Sequence, residues 1–297
     1  MKATLRLLQD LSLTMSKPIL PFVETMITQV CNLSCVGCTN YSDLQHEGYV
    51  TWAQGRAWLE PWLDRVDIPD FGILGGEPTV NPEVNDWILG LRQLMPQAQI
   101  RFTTNGILLP KKFDIVEHLA DIGNCVFKIA IHKPNEETEE IIKKIFSMYD
   151  WEPVVEYGVQ RYKTKNNFRF HVKRPDVFWK TFQGDYHDMR PHDNEPSDAF
   201  SICCQQTCPL LHNGLIYKCS SSGLLAETLE RFNNPNYQQW EQFIQQGIAP
   251  ECSEEQLTAF LDNFGKPAEV CRMCPTTKDL QSKIIHMDNV FTRKIKS

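Results

Sequence analysis

The sequence predicts an α/β fold, a partial TIM-like (β/α)6 barrel followed by a small cysteine-rich C-terminal part. Two observations lead to this prediction. Along residues 21–183, short runs rich in Val, Ile, Phe and Thr alternate with segments whose apolar residues recur at helical spacing. That alternation is typical of β/α units around a parallel sheet. From residue 201 onward the pattern becomes short and mixed, and most of the 11 cysteines lie there.

Each predicted element has a local signal. The six strands are apolar, β-branched or aromatic runs at 22–30, 71–76, 98–106, 125–132, 154–159 and 167–172. The helices between them are predicted at 51–66, 81–95, 111–123 and 135–150. Thr51 and Asn81 are expected to cap the first two helices, because their side-chain oxygens can accept from first-turn N–H groups. Gly123 is expected to close the third helix. In the fourth, acidic residues precede the lysines, as the helix dipole favours.

The chain is expected to divide into four parts. Residues 1–20 form an N-terminal extension with a helical apolar stripe, and 21–183 form the partial barrel. Residues 184–200 are rich in Asp, Pro and His, which is consistent either with a linker or with a loop over the active face. Residues 201–297 form the cysteine-rich domain.

Composition excludes some classes of function. The net charge of −7, from 30 basic and 37 acidic side chains, makes nucleic-acid binding unlikely because such binding relies on Lys and Arg against phosphates. No stretch reaches the roughly 18 uncharged apolar residues of a membrane span. The N-terminus lacks the features of a secretory signal. We therefore expect a cytoplasmic protein, in which clustered cysteines are metal ligands or redox centres rather than disulfides.

Three cysteines form the first cluster. Cys31, Cys35 and Cys38 have the spacing C-x3-C-x2-C within "QVCNLSCVGCTN". Structural zinc sites and electron-carrying iron–sulfur clusters both use four protein ligands. Three thiolates leave one metal position open, and an open position can bind a substrate or a cofactor. Short cysteine runs also bind zinc, which is the alternative.

Two further motifs follow at the ends of the next strands. "GGEP" begins at Gly75 and "TTNG" begins at Thr103. With the cysteine trio, they resemble the radical S-adenosylmethionine (SAM) superfamily. The resemblance implies a [4Fe–4S] cluster on the trio, whose unique iron chelates SAM. Reductive cleavage of SAM then gives a 5′-deoxyadenosyl radical that abstracts a substrate hydrogen atom. The residue before the last cysteine is commonly aromatic in this family, whereas here it is Gly37.

The resemblance also implies the residues that contact SAM. The expected set is Gly75, Gly76, Glu77, Pro78, Thr104, Asn105 and His132. Residues of the GGEP stretch would cradle the methionine amino group, with Glu77 as acceptor, and the two glycines would let the backbone approach the ligand closely. Ordinary strand-end turns are the alternative for both motifs, and a structural role is the alternative for His132.

A second cysteine group lies in the C-terminal part. "LLHNGLIYKC" is predicted to be a hairpin with Asn213 and Gly214 at its turn, and "CRMCP" follows about 50 residues later. This arrangement resembles the twitch domain, a SPASM-related extension that holds one auxiliary [4Fe–4S] cluster. The expected ligands are Cys219, Cys271 and Cys274 with either Cys208 or Cys204 as the fourth, and zinc in the same cage is the alternative. The spare cysteine, Cys203 and Cys252 are expected to be inert or to donate a hydrogen atom.

Three functions remain open from sequence. The first is oxidation or epimerisation of a polar metabolite, such as a sugar or an aminocyclitol. The second is maturation of a ribosomally made peptide, and the third is a non-catalytic zinc or electron-transfer protein. Either enzyme would need an external one-electron donor of the flavodoxin or ferredoxin kind. The catalytic acid or base is not identified; candidates by location are Tyr157, Tyr162, His171, His187 and His192.

Overall fold

The computed structural model describes residues 17–35, 37–42, 47–132, 134–156, 159–174, 180–185, 187–244, 246–277 and 284–285. The predicted N-terminal helix and the candidate Tyr157 therefore lie outside the described residues. The strands are β1 (Val23–Met26), β2 (Ser34–Cys35), β3 (Asp70–Leu74), β4 (Gln99–Thr104), β5 (Cys125–Ala130), β6 (Glu152–Glu156), β7 (Val159–Lys163), β8 (Phe168–Lys173), β9 (Leu210–His212), β10 (Leu215–Tyr217) and β11 (Ile284–Ile285).

The helices follow the predicted spacing in the first half. They are α1 (Trp52–Leu63), α2 (Val84–Leu94), α3 (Asp114–Ile122), α4 (Glu136–Met148), α5 (Pro196–Ile202), α6 (Ser220–Gly223), α7 (Leu225–Arg231), α8 (Tyr237–Trp240) and α9 (Glu254–Asp262). Short 3-10 turns lie at Pro78–Val80, Leu109–Lys111, Glu241–Phe243 and Glu269–Met273. Among the described residues, no helix combines the length and apolarity that crossing a bilayer requires.

The sheet confirms the predicted α/β class. Within the described residues it has nine strands in the order β10-β9-β1-β3-β4-β5-β8-β7-β6. Strands β9, β1, β3, β4, β5 and β8 are parallel to their neighbours in this run. The carboxyl ends of these strands therefore meet at one edge, where ligands bind in such sheets.

One strand prediction is wrong. The predicted strand 154–159 is split between β6 and β7, which pair antiparallel with each other, and β7 pairs antiparallel with β8. The connections between these strands are too short to hold a crossover helix, so the chain can only form an antiparallel ribbon there. The parallel neighbour of β1 on its other side is β9, from the C-terminal part of the chain.

The predicted helix ends also differ in one place. Thr51 caps α1 through a capping box with Gln54, and Gly123 ends α3 at φ 60°. Asn81, however, does not cap α2, which begins at Val84 with Glu83 in the cap position. Its buried amide instead joins two other segments, because Nδ2 donates to Ile27 O at 2.8 Å and to Val50 O at 3.0 Å.

The two faces of the sheet differ in polarity. On the helix-covered face, β1, β3, β4 and β5 contribute fully buried apolar side chains that form the main core, among them Val23, Phe71, Phe102 and Phe127. Strand alternation puts the intervening residues on the other face. In register across that face lie Glu24, Gly72 and Arg101, and further along Thr103, Lys128 and His171. This face, which lies opposite the helix-covered one and is called the inner face below, is therefore charged.

Candidate active site

The cysteine trio follows β1 in a tight loop. Cys38 N donates to Cys35 O at 3.1 Å, which closes a turn between these two cysteines. Gly37 lies within that turn at φ 78°, in the left-handed region that side chains disfavour. This backbone conformation explains why glycine stands where the resemblance leads one to expect an aromatic residue. The pKa of the Cys31 thiol is raised by burial and then by Glu77, Cys38 and Cys35, so the three sulfurs share one environment.

Gly75 and Gly76 lie directly against the start of the cysteine loop. A Cβ on Gly75 would lie 2.7 Å from Thr28 O, and one on Gly76 would lie 2.5 Å from Val30 O. Gly76 N also donates to Thr28 O at 2.8 Å, and Glu77 N donates to Val30 O at 2.8 Å. The glycines thus allow a close backbone contact with the loop, and they also line the cavity, so their contact with the ligand stays a prediction.

Glu77 joins the ends of β3 and β4. Its side chain is buried, and Oε1 accepts from Thr104 Oγ1 at 2.7 Å and from Thr79 N at 3.1 Å. Oε2 accepts from Asn105 N at 2.7 Å. Burial raises the pKa of this carboxyl, while the hydrogen bonds from Asn105, Thr79 and Thr104 oppose the rise. The carboxylate therefore positions the two predicted SAM-contacting strand ends relative to each other.

These elements enclose a cavity of about 300 Å³. It brings together most of the residues predicted to bind the cluster and SAM, and its lining includes Cys31, Cys35, Cys38, Gly75, Gly76, Glu77, Thr104, Asn105, His132 and Cys204. Pro78 is buried and does not line the cavity. Among the described residues, Tyr162, His171, His187 and His192 do not line it either.

Two lining lysines were missed by the sequence analysis. Lys128 of β5 and Lys173 of β8 both face the cavity. The sequence signal was strand alternation. In "CVFKIA", Lys128 lies between the buried Phe127 and Ile129, so it belongs to the opposite face of the strand. His132 lies nearby, and burial together with Lys128 and Lys173 lowers the pKa of its imidazole to about 4.

The residues of the first site fit a [4Fe–4S] cluster. Three thiols from one short loop line one cavity, as a cluster with one open iron requires. The loop also contains a buried polar atom without a partner, Asn32 Nδ2, which could donate to a cluster sulfur. Asn32 Oδ1 accepts from Asn105 Nδ2 at 2.6 Å, which fixes the orientation of this amide. In the described part of the chain, no three His, Cys, Asp or Glu side chains converge on a single-ion site.

The C-terminal cysteines gather around a second cavity. Its lining includes five of them: Cys203, Cys204, Cys219, Cys271 and Cys274. Cys208, one of the two candidates for the fourth ligand, does not line it, whereas Cys204 lines both cavities. Burial, and after it the neighbouring thiols Cys203 and Cys271, raise the pKa of Cys219 to about 11. The arrangement can supply four thiolates to one cluster.

A buried polar network joins the two cysteine-rich regions. Gln205 Nε2 donates to Thr39 Oγ1 at 3.2 Å and also to Ser220 Oγ, and Gln205 Oε1 accepts from Ser221 Oγ at 3.2 Å. Ser220 Oγ donates to Asn40 Oδ1 at 2.6 Å. Because Thr39 and Asn40 directly follow Cys38, the network sets the position of the first loop relative to the second cavity.

Comparison with known proteins agrees with this geometry over the first half. Residues 25–163 match the model of the radical SAM superfamily. The matched range begins in β1 and includes the cysteine trio, the GGEP stretch and the TTNG stretch. The match covers slightly less than half of the chain and identifies this part as a radical SAM domain.

The curated relatives match over a similar length of the chain. A probable GTP 3′,8-cyclase of Saccharolobus islandicus is 27% identical over 130 residues, which are 44% of this chain and 40% of that protein. The mycofactocin maturase MftC of Mycobacterium tuberculosis is 26% identical over 117 residues, 39% of this chain and 29% of that protein. The chain thus spans less than half the length of these relatives.

Among solved structures, BtrN in complex with AdoMet and 2-DOIA has a TM-score of 0.48 at 12% identity. The alignment covers 90% of this chain and all of that one. At this TM-score the likeness adds nothing to the assignment, which rests on the domain match and on the geometry of the site.

Proposed function

We propose that this protein is a radical SAM enzyme that oxidises or epimerises a polar metabolite. Its [4Fe–4S] cluster, bound to Cys31, Cys35 and Cys38, would supply the electron that cleaves SAM to a 5′-deoxyadenosyl radical, which abstracts a substrate hydrogen atom. The main support is that the cysteine trio lines one cavity with the GGEP glycines and the TTNG strand end, inside the range that matches the superfamily.

The side chains have distinct roles in this proposal. The carboxylate of Glu77 holds Thr104 and Asn105 in place from within the protein, and its remaining acceptor capacity is available to the SAM amino group. The neutral imidazole of His132, whose pKa burial lowers to about 4, is suited to hydrogen bonding with the nucleoside part. Pro78 is too deeply buried for direct contact, so we assign it to the rigidity of the turn after Glu77.

The second cavity supports an auxiliary [4Fe–4S] cluster. We assign its ligands to Cys219, Cys271, Cys274 and Cys203. Cys203 replaces the two earlier candidates because Cys208 is outside the cavity lining and Cys204 lies at its boundary with the SAM cavity. Burial raises the pKa of Cys274, followed by the effect of Cys219, Cys203, Cys271 and Cys204, so these thiols lie near one another. Such a cluster could accept the electron that an oxidised substrate releases.

Peptide maturation is the second candidate. It is supported by the match to MftC, whose name identifies it as a maturase. Binding of a short precursor peptide to the protein would favour this function, whereas a two-electron oxidised small product would favour the first. An external flavodoxin- or ferredoxin-like donor is proposed for both.

The central experiment measures 5′-deoxyadenosine by mass spectrometry after anaerobic reconstitution and chemical reduction in the presence of SAM. The wild type should form it even without substrate and should contain about eight irons per chain. Cys31→Ala should abolish the product and leave about four irons, and Cys203→Ser should also leave about four. Cys252→Ser is the matched control and should retain both. No product from iron-replete wild type would refute the proposed activity and favour a zinc or electron-transfer protein.

A further inference from the structure

The inner face of the sheet has a positive charge that the rest of the molecule does not share. The whole chain carries −7, yet Lys128 and Lys173 line the SAM cavity, and Arg169 and His171 lie on the same face of β8. Arg101 also faces this side but forms a bidentate hydrogen-bonded ion pair with Asp70, with Nε 2.7 Å from Oδ1. The charge nearest the cavity is therefore that of the two lysines.

Neither lysine forms a hydrogen bond in the described structure, although Glu24 attracts Lys128. No hydrogen bond or ion pair involves the ammonium group of Lys128 or Lys173. The carboxylate that lines the cavity, Glu77, already accepts from Thr79, Thr104 and Asn105. Glu24 faces the same side of the sheet, where burial raises its pKa to about 8 and attraction to Lys128 opposes the rise. Among the described residues, neither carboxyl is hydrogen-bonded to a lysine ammonium group.

The two lysines also affect each other. Burial lowers the pKa of Lys128, and Lys173 lowers it further, which reflects two cations held near one another in a partly buried place. Keeping two like charges together costs free energy unless an anion lies between them. A ligand with a negative group would remove this cost and bind through charge-assisted hydrogen bonds.

Lys173 lies farther than Lys128 from the GGEP and TTNG stretches, which hold most of the proposed SAM contacts. Strand β8 is three strands away from β3, which leads into GGEP, and neighbouring strands are about 4.8 Å apart. Lys173 is thus about 14 Å across the sheet from that motif. Lys128 lies between them on β5. Lys128 is the register partner of Thr103, whereas Lys173 is one strand farther from the cysteine loop and is the better placed of the two for a substrate beside SAM.

We propose that the substrate carries an anionic group, a phosphate or a carboxylate, and that Lys128 and Lys173 bind it. This inference rests on the proposed radical SAM function and narrows its substrate class. A phosphorylated or acidic metabolite fits the cavity, whereas an aminocyclitol with exposed ammonium groups would be repelled by the two lysines.

Inorganic pyrophosphate is the probe for this site. Its binding is measured by isothermal titration calorimetry at low salt, on the reconstituted protein with SAM present. We expect pyrophosphate to bind the wild type, with Lys128→Met and Lys173→Met each weakening binding about tenfold or more. Lys128→Arg and Lys173→Arg keep the charge and should retain most of the affinity. Lys143→Met is the matched control, since Lys143 is exposed on α4, and it should bind like the wild type.

The same variants distinguish the substrate anion from the carboxylate of SAM. SAM affinity is measured for the wild type, Lys128→Met and Lys173→Met, and pyrophosphate binding should fall by a larger factor than SAM affinity in both variants. If SAM affinity falls as much as pyrophosphate binding, or if saturating SAM prevents pyrophosphate from binding the wild type, the lysines bind the carboxylate of SAM and the inference is wrong. It is also wrong if pyrophosphate does not bind the wild type, or binds the methionine variants equally well. If pyrophosphate binding depends on the lysines but the protein never cleaves SAM, the anion site is supported and the proposed function is refuted.

Discussion

Replacing Gly76 with alanine tests how the GGEP turn supports the cysteine loop. The new Cβ would lie 2.5 Å from Val30 O and 2.7 Å from Gln29 O, well inside the 3.0 Å below which such contacts are essentially never seen. The clashing atoms belong to the backbone, so the two segments must separate. Separation breaks the hydrogen bonds from Gly76 N to Thr28 O and from Glu77 N to Val30 O, both 2.8 Å long. Two hydrogen bonds at about 1 kcal/mol each and overpacking strain of about 1–3 kcal/mol give a loss of about 3–5 kcal/mol.

The free energy of unfolding of Gly76→Ala is measured by urea titration of the cluster-free protein, followed by tryptophan fluorescence. Iron content after reconstitution is the second measurement, and it should fall because the displaced segment carries Cys31. Gly48→Ala is the control: Gly48 has φ 81° but nothing within 4 Å of its Cβ position. It should lose only the roughly 1–2 kcal/mol of a left-handed backbone and should bind iron normally. A Gly76→Ala protein that loses less than 1 kcal/mol and binds iron like the wild type would refute this account.

Two other substitutions test the buried polar groups that position the site. Asn81→Ala removes the amide bonded to Ile27 O, Val50 O and Glu83 N, and should lower the free energy of unfolding by about 3 kcal/mol. The same urea titration on Asn85→Ala, which lies nearer the surface, should show less than 1 kcal/mol, and equal losses would contradict the argument. Gln205→Leu leaves the hydroxyls of Thr39, Ser220 and Ser221 without this partner and should cost about 2–4 kcal/mol. Gln206→Leu, which removes one hydrogen bond to Phe200 O, should cost about 1 kcal/mol; no difference between the two would mean that the network contributes little.

The sequence by itself determined the parts of the site that are local in the chain. Cys31, Cys35 and Cys38 lie within one loop, so the sequence alone predicts that they are close together. The strand and helix alternation up to α4 was equally readable, because each element's periodicity is a property of its own residues. Parallel strands with short connections then bring the ends of β3 and β4 to the same edge as the loop, which is why GGEP and TTNG could be placed together.

Tertiary structure decided whatever depends on packing between distant segments. Spacing left Cys204 and Cys208 as equal candidates, whereas the structure places Cys203 and Cys204 in the cavity with Cys271 and Cys274. The position of β9 beside β1 could not be inferred either, because the two strands are separated by almost the whole barrel.

For the glycines and lysines of the cavity too, part of the interpretation came from the sequence and part required the fold. Glycine at 75 and 76 indicated a close approach to a ligand, which stays a prediction, and only the fold revealed that the backbone of residues 28–30 also lies against these glycines. Lys128 was visible as a polar residue in an apolar strand, yet its meaning depends on Lys173, which is 45 positions away and brought close by the parallel pairing of β5 with β8. A sequence specifies each residue's local conformation, whereas the charge of a cavity depends on which strands become neighbours.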